Sequence, residues 1–108
     1  MSVLSLSEPD DGRTVAGRIG ELVEIRLPEN ATTGYRWTIE QQDSDKLELI
    51  TDKADYPERR LGSGGTASFL FRLRAAGSAT LALRYWRSWE GDDSVLKRYR
   101  LTVDITGN

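Results

Sequence analysis

No histidine and no cysteine occur among the 108 residues. Ser-His-Asp and Cys-His catalysis, and metal sites built on thiolate or imidazole, each need one of those side chains as base, nucleophile or ligand, so all are excluded. No disulfide can form, and packing alone must hold the fold. Carboxylates, Lys, Tyr, Ser and Thr remain for chemistry. The acidic pairs Asp10-Asp11, Asp43-x-Asp45 and Asp92-Asp93 could bind calcium or serve as acid and base, but none has calcium-loop spacing, and solvated turns explain them. Gly62-x-Gly64-Gly65 has the glycines of a phosphate loop but lacks the Lys-Ser/Thr that completes one and the helix that should follow. Such glycines suit a backbone that runs close against another backbone, as in strand addition to a partner's edge. The last group is Trp86-Arg87-Ser88-Trp89, set in a segment rich in Gly and Asp. A Trp in a polar turn exposes a large apolar ring, and Trp beside Arg is the composition of interface hot spots. Trp89 is therefore read as a binding residue and Trp37, on an apolar strand face, as core. Trp86, opposite in parity to inward Tyr85, is left open between the two. The chemistry on offer is recognition; neither enzyme activity nor a cofactor or metal is expected.

These residues need a scaffold, and a period of two supplies it. Val23, Ile25 and Leu27 share one face while Glu24 and Arg26 share the other. Tyr35, Trp37 and Ile39 repeat the pattern; so do Ala67, Phe69, Phe71 and Leu73, then Ala79, Leu81, Leu83 and Tyr85, then Tyr99, Leu101, Val103 and Ile105. Shorter candidates are Val3–Leu6, Thr14–Ala16 and Leu47–Ile50. Seven or eight short strands without a helical period predict an all-β fold, either an immunoglobulin-like β-sandwich or a small barrel. At 38% apolar content, a chain of this length buries roughly two-thirds of the surface its unfolded form exposes, enough for one core. One domain over residues 1–108 is expected. No stretch approaches the ~18 apolar residues of a membrane span, and Met1–Glu8 alternates where a signal peptide would be continuously apolar. A soluble chain is expected, cytoplasmic or the mature form of a periplasmic or secreted protein.

Charge is unevenly distributed along the chain. Net charge is −2, but Met1–Tyr56 holds 6 basic and 12 acidic residues whereas Pro57–Asn108 holds 9 and 5. Solvent-facing charges on alternate strand positions account for this, although the same asymmetry can steer an acidic partner toward one face. Three connections are longer and odder than a simple chain reversal such as Ala75–Ser78: Pro28–Gly34, Tyr56–Gly65 and Trp86–Ser94. If the strands alternate in direction, these first, third and fifth connections emerge at one rim, where rigid scaffolds carry binding surfaces.

Asn30-Ala31-Thr32-Thr33-Gly34-Tyr35 resembles the Asn-Pro-Thr-Thr-Gly-Phe/Tyr loop of the chagasin-type inhibitors of cysteine peptidases. Leu61-Gly62-Ser63-Gly64-Gly65-Thr66 is similar to that family's Gly-x-Gly-Gly block, and Tyr85-Trp86-Arg87-Ser88-Trp89 to its Tyr-x-Arg-Pro-Trp block. The three blocks stand in family order, with Gly20–Ile25 before them, and the resemblance covers about Val15 to Ile105.

The resemblance implies an immunoglobulin-like sandwich whose three loops enter the cleft of a papain-like cysteine peptidase and block it reversibly, competitively and without a covalent bond. It implies Thr32 and Thr33 beside the catalytic cysteine and histidine of that enzyme, with Gly34 allowing close approach of the main chain. Gly62–Gly65 would lie along the unprimed side of the cleft, and Arg87 with Trp89 along the primed side. Asn30 would pin its own loop through side-chain-to-backbone hydrogen bonds. Ala31 and Ser88 depart from the pattern by replacing proline, which frees two φ angles and adds an ordering cost of ~1 kcal/mol per site. Asn30-Ala31-Thr32 is formally a glycosylation acceptor, but a glycan there would obstruct the implied contact. A carbohydrate-binding sandwich that uses Trp86 and Trp89 as sugar platforms, or an adhesion module, is the alternative. Nucleic acid is not an expected partner, because the net charge is negative and the basic residues are not gathered with aromatics. The free protein is expected to be a monomer.

Overall fold

The alternating segments close into two four-stranded sheets packed face to face. The computed structural model describes residues 3–30, 33–55 and 64–107. Its strands are β1 (Val3–Leu6), β2 (Thr14–Arg18), β3 (Leu22–Glu29), β4 (Arg36–Gln42), β5 (Leu47–Asp55), β6 (Gly65–Leu73), β7 (Gly77–Trp86) and β8 (Lys97–Thr106). One sheet has the order β1-β3-β6-β5 and the other β2-β8-β7-β4. Single 3-10 turns occur at Glu8–Asp10, Ser88–Glu90 and Asp92–Ser94, and among the described residues there is no α-helix. The fold is an immunoglobulin-like β-sandwich. No helix among the described residues is long and apolar enough to cross a membrane.

Period-two patterning decides the core. Val23, Ile25 and Leu27 of β3, Ala67, Phe69, Phe71 and Leu73 of β6, Ala79, Leu81 and Leu83 of β7, and Tyr99, Leu101, Val103 and Ile105 of β8 are all buried between the sheets. Each Val, Leu, Ile or Phe side chain buried there stabilises the fold by roughly 1.5–3 kcal/mol. The N-terminal segment serves both sheets: β1 runs parallel to β3, and β2 runs parallel to β8. The turn that moves the chain across is held by Asp10, which accepts hydrogen bonds from the Ser7 main-chain N–H (2.9 Å) and the Arg13 guanidinium. Those bonds hold the Asp10 carboxyl below the usual carboxylate range. Tyr99 ties the same turn to β8 by donating its hydroxyl to the Ser7 carbonyl at 3.0 Å. Burial, reinforced by the nearby charges of Asp10 and Asp11, pushes its phenol up to about 12.

Three details differ from the sequence expectation. The fifth strand runs on to Asp55 instead of ending at Ile50, because a bulge between Leu49 and Thr51 breaks the alternation. The last strand begins at Lys97, two residues later than the end of the Trp86–Ser94 connection implies. Ser68 and Ala82 face outward by parity yet are buried. Both are small residues on central strands, flanked in register by long ones: Ser68 by Arg26 and Lys53, Ala82 by Gln41 and Arg100.

Candidate functional site

Register places the ends of three connections at one end of the sandwich. Glu29 pairs with Gly65, Asp55 with Thr66, Arg36 with Trp86 and Tyr85 with Lys97. The β3–β4, β5–β6 and β7–β8 connections therefore leave from the same rim. Of the residues expected to form a site, Asn30, Thr33, Gly34, Tyr35, Gly64, Gly65, Arg87, Ser88 and Trp89 are described there; Ala31, Thr32, Leu61, Gly62 and Ser63 lie outside the described residues.

The β3–β4 connection is anchored from below. Glu29, its side chain 1% exposed, accepts hydrogen bonds from the Trp37 main-chain N–H (2.8 Å) and from Arg36 Nε (2.9 Å). This buried carboxylate joins the strand entering the loop to the strand leaving it. Trp37 Nε1 donates to the Pro28 carbonyl at 2.9 Å, and the Asn30 N–H donates to the Tyr85 hydroxyl at 3.1 Å. The Asn30 carbonyl in turn accepts from Thr33 Oγ1 at 2.8 Å. Trp37, Tyr85 and Tyr35 form an aromatic column from the core to the rim, with centroids 5.1 and 5.6 Å apart.

Arg87 and Trp89 fasten the β7–β8 connection to the β3–β4 loop. Arg87 Nε donates to the Thr33 carbonyl at 2.9 Å, while its guanidinium carbon lies 4.4 Å from the Tyr35 ring centroid. Gly34 has φ of +83°, and a Cβ placed on it would come within 2.8 Å of Trp89 Cη2. The glycine is thus required twice, for the left-handed backbone and for the ring laid against it. Trp89 is still 70% exposed. Ser94, buried beneath the turn, accepts from the Arg87 N–H (3.0 Å) and shares its own proton between the carbonyls of Arg87 (2.9 Å) and Gly91 (2.7 Å).

Trp86 takes a third course. It lies half-buried on the outer face of its sheet under Arg84, whose guanidinium carbon is 3.5 Å from the ring centroid. Sequence reasoning missed Glu29 and Ser94. Glu29 had a signal, because it continues the inward parity of Val23, Ile25 and Leu27; a carboxylate on that face must find partners. Ser94 had none, since its role depends on the two consecutive turns around Gly91.

Among the described residues no nucleophile is paired with a base on this rim, and no three carboxylates cluster to hold a metal. What it presents is main chain, a Thr hydroxyl and a large indole on a braced frame. Residues 18–103 match the chagasin family of peptidase inhibitors (Chagasin family peptidase inhibitor I42). The chain belongs to that family. It is a family of inhibitors and not of enzymes. Over 108 residues the chain is 33% identical to chagasin of Trypanosoma cruzi, covering 95% of this chain and 96% of chagasin. The crystal structure of the cysteine protease inhibitor EhICP2 of Entamoeba histolytica superposes with a TM-score of 0.85 at 25% identity, over 96% of this chain and 95% of that one. PbICP-C, solved in complex with falcipain-2, shares the fold at 14% identity, with a TM-score of 0.70 over 97% and 90% of the two chains. This member of the chagasin family carries Ala31 and Ser88 in its loop motifs.

Proposed function

We propose that this chagasin-family chain acts as one domain over residues 1–108, a reversible, non-covalent, competitive inhibitor whose three loops occlude the cleft of a papain-like cysteine peptidase. The observation that carries the reading is the braced rim: Arg87 bonds the Thr33 carbonyl and Trp89 packs on Gly34, while most of the indole stays open. Contacts already made in the free protein spare Arg87 and Trp89 an ordering cost of about 0.5–1.5 kcal/mol per side chain on binding. In this mechanism Asn30–Tyr35 enter the cleft at its centre, with Thr32 and Thr33 over the catalytic cysteine. A β-branched residue held in a stiff turn need not present its carbonyl along the attack path, so the thiolate is covered without being offered a substrate geometry. Leu61–Gly65 run along one side through main-chain contacts. Trp89 covers the other side, and Ser88 shapes its turn. Arg87, turned toward Thr33 and Tyr35, serves chiefly to hold the two loops as one body.

Papain assayed with a peptide substrate at several inhibitor concentrations tests this. Apparent KM should rise with kcat unchanged, and activity should return on dilution. Full turnover at micromolar inhibitor would overturn the reading.

A further inference from the structure

Among the described residues, three buried side-chain atoms make no hydrogen bond within the fold: Thr38 Oγ1, Arg84 Nε and Trp86 Nε1. All three belong to one stretch of the β4–β7 ladder. Thr38 stands directly opposite Arg84, and Trp86 follows two residues on, opposite Arg36 at the rim. Parity turns them to the outer face of the sheet, since their neighbours Trp37, Leu83 and Tyr85 pack into the core. A buried donor or acceptor without a partner weakens a fold, and a buried indole N–H ordinarily finds one. Elsewhere near the rim such groups are paired, as the Glu29 carboxylate and the Ser94 hydroxyl show. The unpaired atoms are thus gathered beside the Arg87–Trp89 turn.

A displaceable group covers them. The Arg84 guanidinium carbon lies 3.5 Å from the Trp86 ring centroid, so the cation is stacked on the indole. Arg84 Nη1 also donates to Asp92 Oδ1 at 3.0 Å, but the Asp92 side chain is 82% exposed, and an ion pair so open to water contributes little. The stack is opposed by the unpaired atoms that it shuts away from solvent. Asp92 lies in the same β7–β8 connection as Trp89, and Trp86 is three residues from Trp89 in the chain. Contact at Trp89 therefore acts on the very segment that holds Arg84 in place.

We propose that Trp86 is a second aromatic contact of the inhibitor, covered by Arg84 in the free protein and uncovered on binding, when its indole N–H donates to a carbonyl oxygen of the peptidase on the side taken by Trp89. The proposal rests on the inhibitor reading, because continuity with the Arg87–Trp89 turn is what identifies the partner. A neutral acceptor fits: the donor is an uncharged N–H, and the Arg84 charge already has Asp92. Movement of Arg84 off the ring opens its own Nε and Thr38 Oγ1 to water while the peptidase carbonyl takes up the indole. Binding thus satisfies what the fold leaves unsatisfied. The Trp86 N–H should contribute to the complex and not to the stability of the free chain.

The test uses the whole chain labelled with 15N-tryptophan and titrated with thiol-blocked papain. Each indole N–H resonance is assigned through its own side-chain correlations. Trp37, bonded to the Pro28 carbonyl, is the internal reference and should stay in place; Trp89 should move as the contact forms; Trp86 should move downfield with it. Trp86→Phe, assayed against active papain well below its Tm, should raise Ki about tenfold, equally at low and at molar salt. Arg84→Met, which removes the cover, should lower Ki or leave it unchanged. Thr38→Val, which deletes an unpaired hydroxyl, should melt no lower than wild type. A Trp86 resonance that stays in place while that of Trp89 moves would overturn this inference alone, whether or not Trp86→Phe folds. So would an unchanged Ki in a folded Trp86→Phe. A rise in Ki that vanished in molar salt would make the acceptor charged, and a tenfold rise in Arg84→Met would make Arg84 the contact; either result overturns the assignment. A lower Tm in Thr38→Val would show that its hydroxyl is paired in the free protein and remove the premise. If Ki were unchanged while binding of a soluble oligosaccharide was lost, the ring would belong to a sugar site and the inference would again fail. Absence of inhibition by wild type would overturn the inhibitor reading, and this inference with it.

Discussion

Glu29 is the residue on which the architecture of the rim can be tested most directly. The bonds its carboxylate accepts from Arg36 and from the Trp37 N–H are of unequal consequence. Arg36 is 54% exposed, so water replaces the carboxylate at that end, and the exposed half of the pair contributes at most ~1 kcal/mol. The Trp37 N–H has no such recourse, because Trp37 is buried, and an unsatisfied buried donor costs about 1–3 kcal/mol. Glu29→Ala should therefore destabilise the fold by about 2–4 kcal/mol once the small void is added. Glu29→Gln keeps an acceptor for Trp37 and should lose about 1–2 kcal/mol. Arg36→Ala should cost less than either. For a domain of this size each kcal/mol moves Tm by roughly 4 °C or more, so thermal melts will resolve the order. Inhibition measured well below Tm should weaken about tenfold in Glu29→Ala, as the loop must then be ordered on binding at ~1.4 kcal/mol. A Glu29→Ala variant that melts with wild type, or that ranks below Arg36→Ala in effect, would refute the claim that this carboxylate braces the loop.

Trp89→Ala should raise Ki by about 30- to 1,000-fold, the equivalent of 2–4 kcal/mol, with Tm within a few degrees of wild type; Trp37→Ala should instead lose about 3–5 kcal/mol of stability. Titration and melting of both variants decide this, and a Tm collapse in Trp89→Ala would make that ring structural. Ser88→Pro should tighten inhibition about two- to fivefold by removing ~0.4–1 kcal/mol of chain entropy: Ser88 opens a 3-10 turn, where proline fits, and Arg87 before it is extended at φ −102°, ψ 107°. A higher Ki would show that the serine makes a bond that proline cannot. Tyr99, ordinarily near 10, is raised to about 12 in the fold, so the unfolded chain ionises first as pH climbs. Its contribution is intact below about pH 10 and declines by about 2–3 kcal/mol toward pH 12. Urea unfolding across that window should show the decline in wild type and not in Tyr99→Phe; equal slopes in the two proteins would refute it.

The strand pattern was legible because burial between two sheets forces alternation, so Val23-Ile25-Leu27 and Tyr99-Leu101-Val103-Ile105 could be assigned to the core from spacing alone. Trp37 and Trp89 separated for the same reason, one lying on an apolar face and the other in a polar turn. The extension of β5 past Ile50 was not legible, since a bulge shifts the phase and Thr51–Asp55 offer no apolar period. Ser68 and Ala82 escaped because their burial comes from long neighbours on adjacent strands. Arg87 was read as reaching outward; its bond to Thr33, 54 residues away, depends on two loops meeting.

By itself the order of residues determined the fold class, the core and the three loop motifs, since each follows from local alternation or from short contiguous blocks. It also excluded imidazole and thiolate chemistry outright. Only the tertiary structure decided that Glu29 joins the two strands beneath the loop, that Arg87 and Trp89 fasten one loop to another, and that Thr38, Arg84 and Trp86 share a single face. Those facts depend on register between strands distant in sequence, and register is set by how the whole core packs.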